Sequence, residues 1–290
     1  MKVAVLGASG GMGSFFVRYF LERGDSVRVS DIKRRGMKGV GSSGGNATAC
    51  ETNADAVKGC DVVVVAVPMD STLKVAREVS GRLKPGTILV EISSVKGETL
   101  QALKKLIGKR VSLLSIHPLF GPALSSMKGM KIAVITSKQG RGPEAAAALK
   151  LFPKARIIPM SRKEHDRTMA VVLSLTHLLN VVYAGTVAQF LSPEEFMKVS
   201  TPNSSMQLTL AEAVLAQDAR LSYSIQAANS YSGKVARAAQ RELKRVMAMI
   251  KDSEWRGFEK HFSTLSKTYK SDKRASAVIR EIYSAAEKVV

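Results

Sequence analysis

Four histidines occur among the 290 residues, and one of them stands where a short apolar run stops. In "LLSIHPLFGPA" (113–123), two prolines and a glycine follow His117 and forbid a regular helix or strand. An imidazole at the end of a buried strand is suited to act as a base, because its ordinary pKa lies near neutrality. A single histidine is also compatible with a purely structural, hydrogen-bonded role.

Two further apolar runs end in polar or rigid groups, at "AVPMDST" (66–72) and "EISSVKG" (91–97). Ligands of open α/β sheets bind beyond the carboxyl ends of the strands, so we expect these ends to meet "SIHPLFGPA" (115–123) around one site. The pairing of "SSVK" on one strand end with "HP" on the next favours a functional role for His117. Lys96 would either bring positive charge to this site or lie exposed at a helix start.

A glycine-rich stretch, "VAVLGASGGMGSFF", joins the first apolar run to a helical pattern. Glycines let the backbone turn tightly and approach a pyrophosphate, and the N–H groups at a helix start attract its charge. The G-x-G-x-x-G pattern is incomplete, because Ala8 stands where its first glycine would be. The residues expected to bind a dinucleotide are Gly7, Ser9, Gly10, Gly11, Met12 and Gly13, with Val67 and Pro68 at a later strand end.

Asp31 ends the second apolar run, where dinucleotide-binding sheets carry an acidic residue. A carboxylate there suits the two ribose hydroxyls of NAD and repels the 2′-phosphate of NADP. Lys33, Arg34 and Arg35 follow at once and offer charge for such a phosphate. We therefore expect NAD or NADP as the cofactor, with NAD favoured.

The elements that must position these residues alternate along the first half of the chain. Nearly continuous hydrophobicity is typical of strands buried on both faces of a parallel sheet. β-Branched runs predict strands, and helical spacing predicts helices, in the order strand 2–7, helix 13–24, strand 26–31, strand 61–68, helix 71–83, strand 87–94, helix 98–109, strand 111–118 and strand 131–137. This pattern predicts an α/β fold with an N-terminal Rossmann-type, doubly wound parallel sheet in residues 1–160.

The second half, residues 161–290, changes character, because no convincing strand follows "ARIIPMS" (155–161). Residues 164–191 predict one long helix with Asp166 as its N-cap, and this helix is long enough to span a bilayer. Its polar side chains would be penalised in lipid, so we expect a buried helix at a dimer interface and no membrane contact. Amphipathic helices follow from residue 234, which predicts an all-α dimerisation domain.

The net charge of +20, from 44 Lys and Arg against 24 Asp and Glu, attracts anions. The basic residues are scattered, aromatic residues make up only 6%, and no zinc-finger or RNA-binding signature is present. We therefore expect a small anionic substrate and no nucleic acid. Cys50 and Cys60 form neither a disulfide framework nor a metal-ligand pattern, and the N-terminus lacks the features of a signal peptide. These observations predict a cytoplasmic protein without a metal.

Six motifs occur in a fixed order along the chain: "GASGGMGSFF", "VVVVAVPMDST", "EISSVKG", "HPLFGP", "EHDRTMAVVLSLTH" and "AQDARLSYSIQAAN". In order and spacing they resemble the prephenate/arogenate dehydrogenase family of tyrosine biosynthesis, and "SVKG" followed by "HPLFGP" is the most specific part. The resemblance covers nearly the whole chain. It implies a Rossmann domain, a helical dimerisation domain that forms a homodimer, and an active site between them. It also implies no fused chorismate mutase domain, since the glycine-rich strand begins at residue 1.

The resemblance implies roles for individual residues. His117 resembles the family histidine that hydrogen-bonds the ring hydroxyl of the substrate, and Ser94 resembles the serine that supports this contact. His177 resembles a second histidine that faces the substrate, the alternative being a satisfied core histidine. The implied reaction is NAD(P)-dependent oxidative decarboxylation of prephenate or arogenate. In it, His117 takes the hydroxyl proton, hydride passes to the cofactor and carbon dioxide leaves.

The chain departs from the family pattern at its substrate carboxylate site. The arginine that pairs with the ring carboxylate in the family falls at Ala213, and a second common arginine position falls at Ser205. Arg220 or a residue of the partner chain would compensate. One alternative is another NAD(P)-dependent dehydrogenase of 6-phosphogluconate dehydrogenase-like architecture, or an imine-reducing enzyme, although these lack the "HPLFGP" turn. The other is a non-catalytic NAD-binding regulator, against which the site serine and histidines argue.

Overall fold

The first half of the chain folds around a single sheet. The structure, a computed structural model, describes residues 1–33, 46–137, 142–270 and 275–286. Its strands are β1 (Lys2–Leu6), β2 (Ser26–Ser30), β3 (Ala47–Ala49), β4 (Val62–Val65), β5 (Ile88–Glu91), β6 (Ser112–Pro118), β7 (Lys131–Ile135) and β8 (Arg156–Met160). In the described residues they form one sheet in the order β3-β2-β1-β4-β5-β6-β7-β8.

Helices cover both faces of this sheet. They are α1 (Gly11–Glu22), α2 (Asn53–Ala56), α3 (Met69–Ser80), α4 (Gly97–Ile107) and α5 (Pro143–Leu151). Alternate residues of β1 point to opposite faces: Val3 and Val5 join the hydrophobic cluster that includes α1, whereas Ala4 and Leu6 join the one that includes α3. Strands buried on both faces explain the near-continuous apolar runs. The predicted Rossmann-type, doubly wound sheet is confirmed.

The sequence pattern predicts a parallel sheet, but the sheet is not parallel throughout. β1 to β6 pair parallel, but β7 runs antiparallel to β6, with His117 opposite Ala133, and β8 is parallel to β7. The connection at 119–130 contains no helix, so it lacks the crossover that a parallel pair needs. The chain therefore returns beside β6 in the opposite direction.

The described residues that follow β8 are helical, as predicted. Their helices are α6 (Arg162–Met169), α7 (Thr176–Val187), α8 (Pro193–Val199), α9 (Pro202–Leu215), α10 (Ala219–Ala228), α11 (Ser232–Lys251), α12 (Trp255–Tyr269) and α13 (Ala275–Ala286).

The long helix predicted at 164–191 differs in its start, its middle and its end. Ser161 is the N-cap of α6 and forms a capping box with Glu164, so the prediction of Asp166 as N-cap is wrong. A π-helical segment, Ala170–Leu175, lies between α6 and α7. Helix α7 ends at Val187.

The chain divides into two compact units. The first unit is Met1–Ala170 with Tyr223–Ser230, and the second is Val171–Ser222 with Tyr231–Val290. Residues 161–170, which the sequence analysis assigned to the helical domain, belong to the first unit.

Among the described residues, the helical stretch Arg162–Val187 is long and apolar enough to cross a membrane by length and composition, with a mean hydropathy of 1.6. Only 22% of its most apolar window is buried within the chain. Its exposed apolar residues include Val172, Leu179 and Val182. The predicted burial of this helix at a dimer interface needs a partner molecule and stays a prediction.

Candidate active site

The glycine cradle is packed tightly against the end of β4. Gly7 has φ 85°, a backbone conformation that favours glycine, and a Cβ there would lie 2.5 Å from the carbonyl oxygen of Ala66 and 2.9 Å from Cγ1 of Val67. A Cβ on Gly13 would lie 2.0 Å from the carbonyl oxygen of Gly7. Glycine is therefore required where α1 leaves the cradle. Val67 lies beside the cradle, as predicted for a cofactor-binding residue.

Asp31 follows β2 and is held beside the same cradle. Its Oδ2 accepts the backbone N–H of Ser9 at 3.0 Å, and its Oδ1 accepts the backbone N–H of Lys33 at 2.8 Å. The structure thus brings the predicted acidic residue to the predicted loop and fixes its orientation. Arg34 and Arg35, the candidate partners of a 2′-phosphate, lie outside the described residues.

The turn after His117 lies on the start of α1. A Cβ on Gly11 would lie 2.8 Å from Cγ of Pro122, so the rigid "HPLFGP" turn contacts the cradle. Gly10 is the N-cap of α1, and Met12 packs against the hydrophobic cluster below it. The strand end that carries His117 is therefore joined directly to the candidate cofactor site.

His117 is 6% exposed and has a second histidine as its partner. Its Nδ1 lies 3.1 Å from Nε2 of His165, and Nδ1 of His165 lies 2.9 Å from Oδ1 of Asp166. Burial, together with the positive charge of Lys96 and the neighbouring His165, holds the pKa of His117 well below its ordinary value of 6.5. His117 is therefore neutral at physiological pH, which is the form that can take a proton.

His165 and Asp166 are site residues that the sequence reasoning missed. His165 is fully buried, and both oxygens of Asp166 also accept backbone N–H groups, Oδ1 from Lys96 and Oδ2 from Gly97, each at 3.0 Å. Asp166 therefore satisfies the first N–H groups of α4 rather than those of its own helix. The adjacent His and Asp in "EHD", just after the last strand, were the available signal.

Lys96 is 1% exposed, so the alternative of an exposed helix-start residue is wrong. Its Nζ lies 2.6 Å from Oε1 of Glu91 and donates to the carbonyl oxygen of Ile116, also at 2.6 Å. Ser115 Oγ donates to the same carboxylate. Burial lowers the pKa of Lys96, while the charge of Glu91 opposes this shift. The ammonium thus bonds both to Glu91 on β5 and to the carbonyl of Ile116 on β6, and it links these two strands.

Ser94 is half-buried in the loop between β5 and α4. Since Glu91 on β5 pairs with Ser115 on β6, the residues that follow β5 lie beside the strand end that carries His117. Pro68 follows β4 as the N-cap of α3. The predicted residues of the first unit therefore lie at the carboxyl ends of β1, β2, β4, β5 and β6.

His177 belongs to the second unit, on α7. It is 7% exposed, and its Nδ1 has no hydrogen-bond partner among the described residues. Burial lowers its pKa, so the ring is neutral at physiological pH. A core histidine with all its polar atoms paired is the alternative, and an Nδ1 that is unpaired in the part of the chain that the structure describes does not agree with it.

The two positions where the family carries arginine hold no cation. Ala213 is exposed on α9, and Ser205 Oγ donates to Ser200 Oγ at 2.7 Å. Arg220 lies in the first turn of α10, where its backbone N–H donates to Asp218 Oδ1 at 2.8 Å.

A doubly wound sheet whose carboxyl edge carries a glycine cradle, a fixed carboxylate and a buried neutral histidine defines a dinucleotide-binding α/β protein with a candidate base. Comparison with known families is more specific. The family model described as prephenate dehydrogenase, nucleotide-binding domain, matches residues 19–158, and the model described as prephenate dehydrogenase, dimerization domain, matches residues 161–264. The chain belongs to the prephenate dehydrogenase family, whose members are NAD(P)-dependent oxidoreductases.

Individual relatives agree with this assignment. The chain is similar to the probable arogenate/prephenate dehydrogenase of Methanocaldococcus jannaschii, with 26% identity over 97% of this chain and 66% of the relative, so it spans slightly less than two thirds of that protein. The 4-amino-4-deoxyprephenate dehydrogenase of Streptomyces pristinaespiralis is 25% identical over 91% of this chain and 88% of its own length. The fold is similar to that of Aquifex aeolicus prephenate dehydrogenase in complex with hydroxyphenyl propionate and NAD+, with a TM-score of 0.76, 18% identity and coverage of 92% and 96% of the two chains.

Proposed function

We propose that this chain catalyses the NAD(P)-dependent oxidative decarboxylation of prephenate or arogenate, a step of tyrosine biosynthesis. The observation that carries the proposal is the buried, neutral His117 on the sheet edge that also carries the glycine cradle. Family membership supports this activity over a 6-phosphogluconate dehydrogenase-like or imine-reducing enzyme. The neutral imidazole of His117 lies on a strand end whose following turn contacts the cradle. This position supports a catalytic role over that of a non-catalytic NAD-binding regulator.

The residues of the cradle fit a dinucleotide. Helix α1 begins at Gly11 with no side-chain cap from the described residues, so its first N–H groups are available to a phosphate. Asp31 is held with both oxygens beside the cradle, where a carboxylate accepts hydrogen bonds from ribose hydroxyls. We expect NAD to be preferred, because the same carboxylate repels a 2′-phosphate. NADP remains the competing cofactor through the basic residues from Lys33 onward.

The chemistry divides between the cofactor and the chain. When bound, the nicotinamide accepts hydride from the ring carbon that carries the hydroxyl. His117 takes the hydroxyl proton as that C–H bond breaks. Loss of the ring carboxylate as carbon dioxide leaves the C–C bond electrons in the ring, which becomes aromatic, and the phenolate oxygen recovers the proton from His117. Ser94 helps to orient the hydroxyl, and Lys96 acts by positioning, because it holds the carbonyl of Ile116 next to His117.

The substrate carboxylates need cations that the two family positions do not supply. We propose that Arg220 or a residue of the partner chain pairs with the ring carboxylate, because guanidinium binds carboxylates in a bidentate manner. His177, buried with an unpaired Nδ1, is proposed to face the substrate. The Streptomyces relative acts on an amino analogue of prephenate, so 4-amino-4-deoxyprephenate belongs among the substrates to be tested.

We propose a homodimer that forms through the helical unit, in the cytoplasm and without a metal. The support is the exposed apolar face of the π-helical segment and α7, together with the match to a family model described as a dimerization domain. Several exposed apolar side chains on one helical stretch support a contact site there. The free, buried Cys50 and Cys60 fit a reducing compartment.

The deciding measurement is cofactor reduction, followed by absorbance, with each substrate combined with NAD and with NADP. We expect turnover with prephenate or arogenate in the unaltered chain and a loss of kcat on the order of 10²–10⁴-fold in His117→Asn. His261→Asn is the matched control, since His261 lies on α12 of the second unit. Intact NAD binding without turnover in any combination would favour the regulator.

A further inference from the structure

We propose that His165 and Asp166 fix the tautomer of His117, so that Nε2 of His117 is the atom that takes the substrate proton. The inference rests on the proposed function and deepens it. His165 and Asp166 are then positioning residues, since each acts on the substrate through His117.

Asp166 sets the direction of the whole chain of bonds, because an ionised carboxylate only accepts hydrogen bonds. Burial alone would raise the pKa of Asp166, but hydrogen bonds from His165 and from two backbone N–H groups lower it. The carboxylate is therefore ionised at neutral pH. Nδ1 of His165, which lies 2.9 Å from Oδ1, must carry a proton in order to bond to it.

The tautomer of His165 then decides that of His117. In the proposed arrangement each of the two imidazoles carries one N–H, and since that of His165 is on Nδ1, its Nε2 presents a lone pair. This atom lies 3.1 Å from Nδ1 of His117, and a hydrogen bond at that distance requires a proton on one of the two nitrogens. The proton is on Nδ1 of His117. Nε2 of His117 therefore has a free lone pair, which is what a base needs.

The same arrangement stabilises His117 after it has taken the proton. The groups that face the ring are His165 on α6 and Lys96 before α4, with Asp166 behind His165 and Glu91 behind Lys96. An imidazolium formed here keeps its Nδ1–H bond to His165, and the negative charge of Asp166 lies two hydrogen bonds away. The buried carboxylate of a Ser-His-Asp triad acts on its histidine in a comparable way.

Two readouts test the inference separately from the reaction. Nitrogen-15 labelling of histidine and two-bond correlation spectra report which ring nitrogen carries the proton in the folded full chain. We expect Nδ1–H for both His117 and His165. We expect Asp166→Asn to populate Nε2–H on His117, to lower kcat on the order of 10²-fold, and to move the acid limb of the kcat/KM profile to lower pH. The KM for NAD should stay unchanged.

Variants at His165 separate tautomer control from folding. His165→Gln places an amide oxygen near the position of Nε2 and should keep part of the kcat and the Nδ1–H tautomer of His117. His165→Leu should lose both, at similar NAD affinity. Nε2–H on His117 in the unaltered chain, or equal kcat in the Gln and Leu variants, would overturn the inference while turnover kept the proposed function intact. If both histidines carry Nδ1–H but no substrate is turned over, the tautomer assignment would be supported and the proposed function would be contradicted.

Discussion

The two units of the chain bury their candidate histidines in opposite ways. In the first unit, His117 bonds to His165 and through it to Asp166, whose remaining oxygen is also occupied. In the second unit, His177 is equally buried, yet its Nδ1 finds no partner among the described residues. The hydrogen bonds of the His117 network are thus made within the first unit. The corresponding nitrogen of His177 has no such partner among the described residues of either unit.

The apolar surface shows the same difference. Most of the large apolar side chains that are exposed in the described residues belong to the second unit, and the run formed by the π-helical segment and α7 carries Val171, Val172, Leu179, Val181 and Val182. Exposed apolar side chains concentrated on one helical stretch are typical of a surface that contacts another molecule. The described exposed apolar side chains are thus concentrated in the second unit, where we propose the dimer interface.

The largest expected effect comes from breaking the self-sufficient network of the first unit. Glu91→Gln leaves the Lys96 ammonium buried without its counter-charge, and we expect the free energy of unfolding to fall by about 3–5 kcal/mol. Denaturant titration with fluorescence or circular dichroism measures this change.

The exposed pair Lys84–Asp61 is a matched control with the same 2.6 Å separation. Its side chains are 45% and 43% exposed, against 0% and 2% for Lys96 and Glu91. Asp61→Asn should cost less than about 1 kcal/mol. Equal losses in the two variants would mean that Glu91 and Lys96 do not form a buried ion pair in solution.

A smaller effect is expected from charging the apolar face of the second unit. Val182 is 51% exposed on α7, so Val182→Asp should leave the folded chain intact while placing an unpaired charge in the proposed dimer interface. We expect the dimer to weaken by about 2 kcal/mol, or roughly 30-fold in its dissociation constant. Sedimentation velocity over a concentration series measures the shift.

Leu149→Asp is the control for this variant, because Leu149 is similarly exposed, at 53%, on α5 of the first unit. It should leave the oligomeric state unchanged. A monomer before any substitution, or a dimer unaffected by Val182→Asp, would contradict the proposed interface.

The buried histidines predict a pH dependence of stability. The pKa of His117 is held well below 6.5 in the folded chain by burial, by Lys96 and by His165, and burial also lowers the pKa of His177. Below pH about 6.5 the unfolded chain binds protons that the folded chain does not. The free energy of unfolding should therefore fall with decreasing pH, by about 1.4 kcal/mol per pH unit for each such histidine.

Denaturant titrations between about pH 5 and pH 8 measure this slope. His117→Asn should make it shallower. Hydrogen bonds from His165 and from two backbone N–H groups lower the pKa of Asp166, so this carboxylate stays ionised over the range and does not contribute to the slope. An identical slope in His117→Asn would mean that folding does not lower the pKa of His117.

Local signals explain what the sequence predicted. Strands buried on both faces occur in the sequence as apolar runs, so the fold could be predicted from it. A glycine cradle acts through its own backbone and is visible as a local motif, and its cofactor-binding residues stay predictions. The strand β3 and the helix α2 are too short for a periodicity, and the alanine-rich α5 has no apolar stripe. The capping box of Ser161 and Glu164 was readable as an S-x-x-E pattern, and it locates the start of α6 better than Asp166 does.

The partners within the site were not predictable in this way. His117 and His165 are separated by 48 positions, and Lys96 and Asp166 by 70, so only the completed fold brings them together. Lys96 precedes α4 and donates to the carbonyl of Ile116, which lies 20 positions further along the chain on β6. Residue types predicted which groups do chemistry, whereas the choice among tautomers and charge states depends on contacts between distant segments.

The smallest expected effect on stability concerns His177, the buried candidate histidine of the second unit. His177→Leu removes a buried polar ring whose Nδ1 has no partner in the part of the chain that the structure describes, so the free energy of unfolding should rise by about 1 kcal/mol or stay unchanged. Asn180, one turn further along α7, donates to the carbonyl of Thr176 and accepts from Gln207, so Asn180→Leu should lower it by about 1–2 kcal/mol. Denaturant titrations and kcat/KM are measured on both. A His177→Leu chain that is stable but turns over poorly means that this ring is kept for the substrate, whereas a marked loss of stability means that it has a structural partner and that the second unit is as self-contained as the first.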